Sequence, residues 1–127
     1  MESVYKKDGT SFNIMTEEDE KLIDIKDKLI GSNWYDIQNA YCSNGIVYIT
    51  LMIRSGDSSS EKESQLINDS RYYPYGNAYG FVSIQSSESD VNKIMNTMIK
   101  SSGKVYAWIS KVLTYGEIVT FIYPLKS

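Results

Sequence analysis

Histidine is absent from this 127-residue chain. That removes the commonest general base, the commonest metal ligand and the usual partner of a nucleophilic serine. Acid–base chemistry would fall to carboxylates or lysines. Glu61 and Glu63 have a spacing that invites reading as the carboxylate pair of a glycoside hydrolase. They stand, however, in the Ser-rich, charged stretch 54–64, which has no apolar periodicity and reads as an exposed loop, whereas catalytic carboxylates need rigid support. The acidic run Glu17, Glu18, Asp19 and Glu20 lacks the spacing of a calcium loop and reads as a solvated helix start. There is no phosphate-cradling glycine loop and no nucleophile elbow. The expectation is a chain with no catalytic residues, no metal and no cofactor.

Tyrosine is the residue type the chain is rich in, with eleven copies. Four of them, Tyr72, Tyr73, Tyr75 and Tyr79, cluster with Asp69, Arg71 and Asn77. Flat aromatic faces beside hydrogen-bond donors and acceptors complement a sugar, which presents a C–H face and a rim of hydroxyls. The competing reading is that these rings pack a loop onto the domain or onto a neighbouring subunit. Trp108 and Tyr106 alternate with Val105, Ala107 and Ile109, so one set faces a core and the other is left for a partner. The candidate saccharide-binding set is therefore Arg71, Tyr72, Tyr73, Tyr75, Asn77, Tyr79 and Trp108.

The elements that position these residues are mostly strands. The segment 104–113 and the segment 117–123, each dense in β-branched and aromatic residues, predict a C-terminal hairpin turning at Thr114-Tyr115-Gly116. Trp34 to Tyr41 predicts a strand with Trp34 as a core anchor. Asn44-Gly45 is the strongest short hairpin signal and leads into Ile46 to Ile53. There, Val47, Ile49, Leu51 and Ile53 should face the core, and Tyr48, Thr50 and Met52 solvent or another subunit. Pro74 and Gly76 exclude a regular strand interior near the tyrosines, and Ala78 to Gln85 resumes as one strand. Val91 to Lys100 has helical spacing in Val91, Ile94, Met95, Met98 and Ile99, and is open between helix and strand.

Thr16 to Ile30 reads as the one clear helix, with Thr16 as N-cap, acidic residues in its first turn and Gly31 at its end. Leu22, Ile25 and Leu29 are three and four apart. They would either lie on the domain's own sheet or form a neck that bundles with copies of itself, making them the candidate oligomer interface. The segment before it, around Asp8-Gly9, reads as two short extended pieces. The expected organisation is a leader and neck or shoulder helix over residues 1–31 and an all-β head, an antiparallel sandwich, over residues 32–127.

Composition sets further bounds. A hydrophobic share of 42% is enough to build a core without a disulfide or metal. A net charge of −3 argues against nucleic acid or an anionic membrane as partner. The single cysteine, Cys42, lies in an apolar run and reads as a small buried side chain. No apolar run is long enough to span a membrane, and the N-terminus has no signal-peptide core.

From Trp34 onward the order of features resembles the C-terminal receptor-binding heads of siphophage tail-fibre and baseplate proteins. A tryptophan precedes an asparagine–glycine turn into Ile46-Val47-Tyr48-Ile49. A loop leads to Arg71-Tyr72-Tyr73-Pro74, a reordered form of the family's "GYRP" element. Gly103 to Ser110 reads GKVYAWIS, and the last strand closes in Tyr123-Pro124-Leu125. The resemblance covers roughly three quarters of the chain. It implies a jelly-roll-like head at the virion's tail tip, a homotrimer that binds host cell-wall or surface saccharide without cleaving it and meets other tail or baseplate proteins. Two other readings stay open: a structural tail or baseplate connector that binds proteins rather than glycans, and a small glycan hydrolase using carboxylates such as Glu61 or Glu117.

Overall fold

In the computed structural model, which describes residues 22–54, 60–84, 94–109 and 117–125, the chain is built outward from one hairpin. Strand β2 (Tyr35–Ser43) and strand β3 (Ile46–Ile53) pair across Asn44 and Gly45. These two residues take φ of 55° and 78°, the left-handed pair that lets a two-residue turn follow the twist of its strands. The expected alternation in β3 holds: Val47, Ile49, Leu51 and Ile53 are fully buried, while Tyr48, Thr50 and Met52 are only partly covered. Each of those four apolar side chains contributes about 1.5–3 kcal/mol by leaving water.

The other strands are β1 (Ile23–Asp24), β4 (Ser60–Gln65), β5 (Ala78–Tyr79), β6 (Phe81–Ile84), β7 (Ile94–Ile99), β8 (Lys104–Ile109) and β9 (Glu117–Pro124). They form two sheets, ordered β1-β2-β3-β9-β6 and β4-β8-β7-β5, with every pairing antiparallel. Val105, Ala107 and Ile109 of one sheet and Val119, Phe121 and Tyr123 of the other join the β3 residues in a single core. The fold is thus all-β and sandwich-like. Trp34 anchors this core as expected, its ring edge-on to Tyr35 at 4.9 Å and its Nε1 donating to Ser64 Oγ at 2.8 Å. Cys42 is also buried, and that burial pushes its thiol pKa up.

Several sequence expectations are corrected. The described part of the expected helix, residues 22–30, is not α-helical. Ile23–Asp24 pairs with β2, Lys26–Lys28 makes one 3₁₀ turn, and Leu29 bridges to Ile67. A single turn between Ile25 and Leu29 reproduces the four-residue spacing of a helix without one. Both side chains enter the sandwich core, while Leu22 is 60% exposed. The three therefore share no stripe, and Ile25 and Leu29 are buried within their own subunit. Residues 16–21 and the expected turn at Asp8-Gly9 lie outside the described residues.

The expected C-terminal hairpin is also overturned, because β8 and β9 belong to different sheets. Each is an interior strand with two partners, β4 and β7 for β8, and β3 and β6 for β9. The connection, including Thr114-Tyr115-Gly116, lies outside the described residues. Residues 60–64, expected as part of the 54–64 loop, lie with Gln65 in β4, which has no apolar residue and is an edge strand among the described residues. Edge strands favour charge because it discourages pairing with other chains.

Ala78 to Ile84 is not one strand. It changes sheet at Gly80, where a Cβ would lie 2.6 Å from the Phe121 ring and 2.7 Å from Val119. Within the ambiguous segment Val91–Lys100, residues 91–93 lie outside the described residues, and Ile94–Ile99 is strand β7. Its register against β8 shifts by one residue between Met95 and Met98, so an extra residue in a bulge gives the sequence its helix-like spacing.

Candidate functional site

The antiparallel pairing of β4, β8, β7 and β5 sets residues from distant parts of the chain side by side, and cross-strand partners share a face. One row runs Glu63, Tyr106, Met98, Tyr79; in the next, Glu61 pairs with Trp108. Val105, Ala107 and Ile109 take the core side of β8, so Tyr106 and Trp108 lie on the outer face, each half-buried. Tyr79 is 64% exposed at the far edge. Strands stand about 4.8 Å apart, so the rings of Tyr106 and Tyr79 are separated by one intervening strand. This outer face offers aromatic surface bordered by two carboxylates.

Electrostatics distinguish the two carboxylates. Lys100 Nζ donates to Glu63 Oε1 at 2.8 Å and sits 5.3 Å from the centre of the Tyr106 ring, and Lys104 Nζ is 3.9 Å from Glu63 Oε2. The hydrogen bond from Lys100 holds the Glu63 carboxyl below the ordinary carboxylate range. Glu61 is exposed and has no ion-pair or hydrogen-bond partner among the described residues.

The predicted tyrosine cluster is divided by the structure. Asp69 begins a 3₁₀ turn, Ser70–Tyr72, by accepting from the Arg71 backbone N–H, and its carboxylate is also held by the Arg71 guanidinium at 2.8 Å. The Arg71 contacts bring the Asp69 pKa down to about 2. Arg71 is in turn stacked 5.5 Å from the centre of the Tyr72 ring. Tyr72 and Tyr73 pack against the core, and the Tyr72 carbonyl accepts from the buried Tyr123 hydroxyl at 2.5 Å. Those two rings hold the segment down, as the packing reading expected. Tyr75, Asn77 and Tyr79 remain exposed. Of these, Tyr79 alone has a strand position in the row that contains Tyr106, beside Trp108.

Sequence reasoning set Tyr106 beside Trp108 but missed Glu61 and Glu63 as members of this face, because β4 carried no apolar signal. The sequence cue was the Glu61-Lys62-Glu63 alternation, which has the period of a strand. A separate pocket of about 250 Å³ lies at the β1–β2 edge, lined by Leu22, Asp24, Lys26, Asn39, Ala40 and Tyr41. Among the described residues there is no cluster of three or more metal-ligating side chains, and no helix long and apolar enough to cross a membrane.

The outward side of the five-stranded sheet is different in kind. Ile46, Tyr48, Thr50 and Met52 of β3 and Ile118, Thr120 and Ile122 of β9 alternate with core residues and include no charge. Tyr41 stacks on Tyr48 at 5.1 Å, and Ile122 and Phe81 are 46% and 53% exposed.

Comparison of this chain with protein-family models, with curated proteins and with solved structures gave no match.

Proposed function

We propose that the chain is a saccharide-binding head domain of the siphophage tail-fibre or baseplate kind, attaching the virion's tail tip to a host-surface glycan without cleaving it. The observation that carries this reading is the outer face of the four-stranded sheet, where Tyr106 and Trp108 lie beside Glu63 and Glu61, with Tyr79 at the far edge. Aromatic faces cover the apolar side of a sugar ring, and carboxylates accept from its hydroxyls. Pairing β3 with β9 in one sheet and β4 with β8 in the other is compatible with a jelly-roll-like path, and the order of motifs supports the same family.

Glu63 is disfavoured as the general acid of a hydrolase. A general acid needs a raised pKa, and Lys100 pushes this carboxyl the other way. The uncharged β3–β9 part of the outer face of the five-stranded sheet favours a protein contact, and in this reading it is where subunits of a homotrimer meet. Avidity from three copies would multiply a weak single-site affinity. The connector reading would instead place another tail protein on that face.

A glycan array probed with the full chain tests the binding claim. A captured glycan that Trp108→Ala loses at unchanged melting temperature, and that is recovered intact, supports it. An empty array removes it, and released sugar restores the hydrolase. Light scattering reads the assembly: a trimer mass agrees with a head domain, whereas a monomer removes the trimer from the proposal.

A further inference from the structure

The four-stranded sheet contains the same cross-strand pair twice. An aromatic ring on β8 faces a glutamate on β4 as Tyr106 with Glu63, and two residues along as Trp108 with Glu61. The first pair is filled by the protein's own ammonium, Lys100 Nζ, at 2.8 Å from the Glu63 carboxylate and 5.3 Å from the Tyr106 ring centre. That arrangement combines a charge-assisted hydrogen bond with attraction to the ring's negative face. The second pair repeats the composition with the better cation-binding ring, tryptophan. No ammonium or guanidinium of the described residues is paired with Glu61. Glu61 is itself exposed, and its cross-strand partner is Trp108.

We infer that the Trp108–Glu61 pair is a subsite for the ammonium group of a ligand, and that the glycan bound on this face carries a free amine, as a non-acetylated amino sugar does. This rests on the saccharide-binding reading above and names its substrate class. The sugar ring would lie along the Trp108 face while its ammonium meets Glu61, as Lys100 meets Glu63. N-Acetylation removes the positive charge and the strong donor, so the acetylated sugar would keep the ring contact and lose the ion pair. Because the pair is at the surface, the preference is modest, about fivefold, and shrinks as salt is added.

The experiment is calorimetric titration of the full chain at about pH 6 with a glucosamine tetramer and, separately, with its N-acetylated counterpart. Tighter binding of the glucosamine tetramer by about fivefold is expected. Glu61→Gln should bring the two ligands level, while Glu63→Gln should leave the preference in place. Equal affinity for both ligands in the unaltered chain overturns the ammonium subsite and leaves the saccharide reading standing. Preference that survives Glu61→Gln overturns it as well. Binding of neither ligand overturns the subsite, and the glycan array then decides the broader reading on its own. A lysine tetrapeptide that binds as tightly as the amino sugar would mean that the pair reads protein ammonium groups, which also overturns the assignment to a sugar.

Discussion

Substituting Gly103 by alanine should destabilise the domain through two separable effects, and Gly45 supplies the control for one of them. Both glycines have positive φ, +83° at Gly103 and +78° at Gly45, so alanine at either costs about 1–2 kcal/mol of backbone strain. At Gly45 nothing lies within 4 Å of the added Cβ, and strain is the whole cost. At Gly103 the Cβ would lie 2.5 Å from Tyr73 Cε1 and 2.9 Å from Gln65 Nε2.

Neither neighbour can retreat freely. Tyr73 packs on the core, and Gln65 Nε2 donates to the Ile67 and Ser102 carbonyls at 2.8 and 2.9 Å. The Gly103 carbonyl accepts from Leu66 and Ile67, both at 3.0 Å, so the backbone is fixed as well. Overpacking of this kind adds about 1–3 kcal/mol, giving about 2–5 kcal/mol for Gly103→Ala against about 1–2 for Gly45→Ala. Urea unfolding followed by tryptophan fluorescence reads the difference as a midpoint lower by about 1 M for Gly103→Ala. If the two variants unfold at the same midpoint, Tyr73 does not pack over Gly103 and the inward placement of the tyrosine segment is wrong.

Ser64→Ala should cost about 1–2 kcal/mol, because the Trp34 Nε1 donor, 2.8 Å from Ser64 Oγ, would lose its acceptor in a buried site. Urea midpoints and a shift in tryptophan emission check this, and an unchanged midpoint would show that Ser32, whose Oγ is 3.3 Å from Ser64 Oγ, or water takes over the bond. Asp69 should titrate in the folded protein at about 2 rather than at 3.8, so the stability it contributes is present above about pH 3.8 and is lost as pH falls through about 2. Carboxyl NMR should record that value, and Arg71→Ala should return it toward 3.8.

The β2–β3 hairpin was legible because every cue to it is local: two turn residues that tolerate positive φ and four apolar residues at period two. Strand β4 left no such mark, since Ser60–Gln65 pairs on one side only and takes its stability from backbone bonds to β8 rather than from apolar burial. Strands β8 and β9 were readable as strands but not as belonging to separate sheets, because partner choice depends on β3, β4, β6 and β7 rather than on the turn between them. The 3₁₀ turn at Lys26–Lys28 and the bulge in β7 each imitated helical spacing through one displaced residue. The candidate face suffered from both problems. Its tyrosines announced themselves as a cluster, yet two of them proved to be packing residues, while Glu61 and Trp108 are 47 positions apart and meet only through strand register.

Strand β9 lies between β3 and β6, and this has a consequence for biosynthesis. It is the last of the described strands to leave the ribosome. Until it does, β3 presents an open, strongly apolar edge on one side and β6 has no partner in its sheet. The nascent chain must carry that edge from the emergence of β3 until that of β9, exposed to pairing with neighbouring chains on the same message. A crowded polysome is therefore the setting in which this domain is most vulnerable, and slowing elongation would lengthen that exposure rather than help the domain fold.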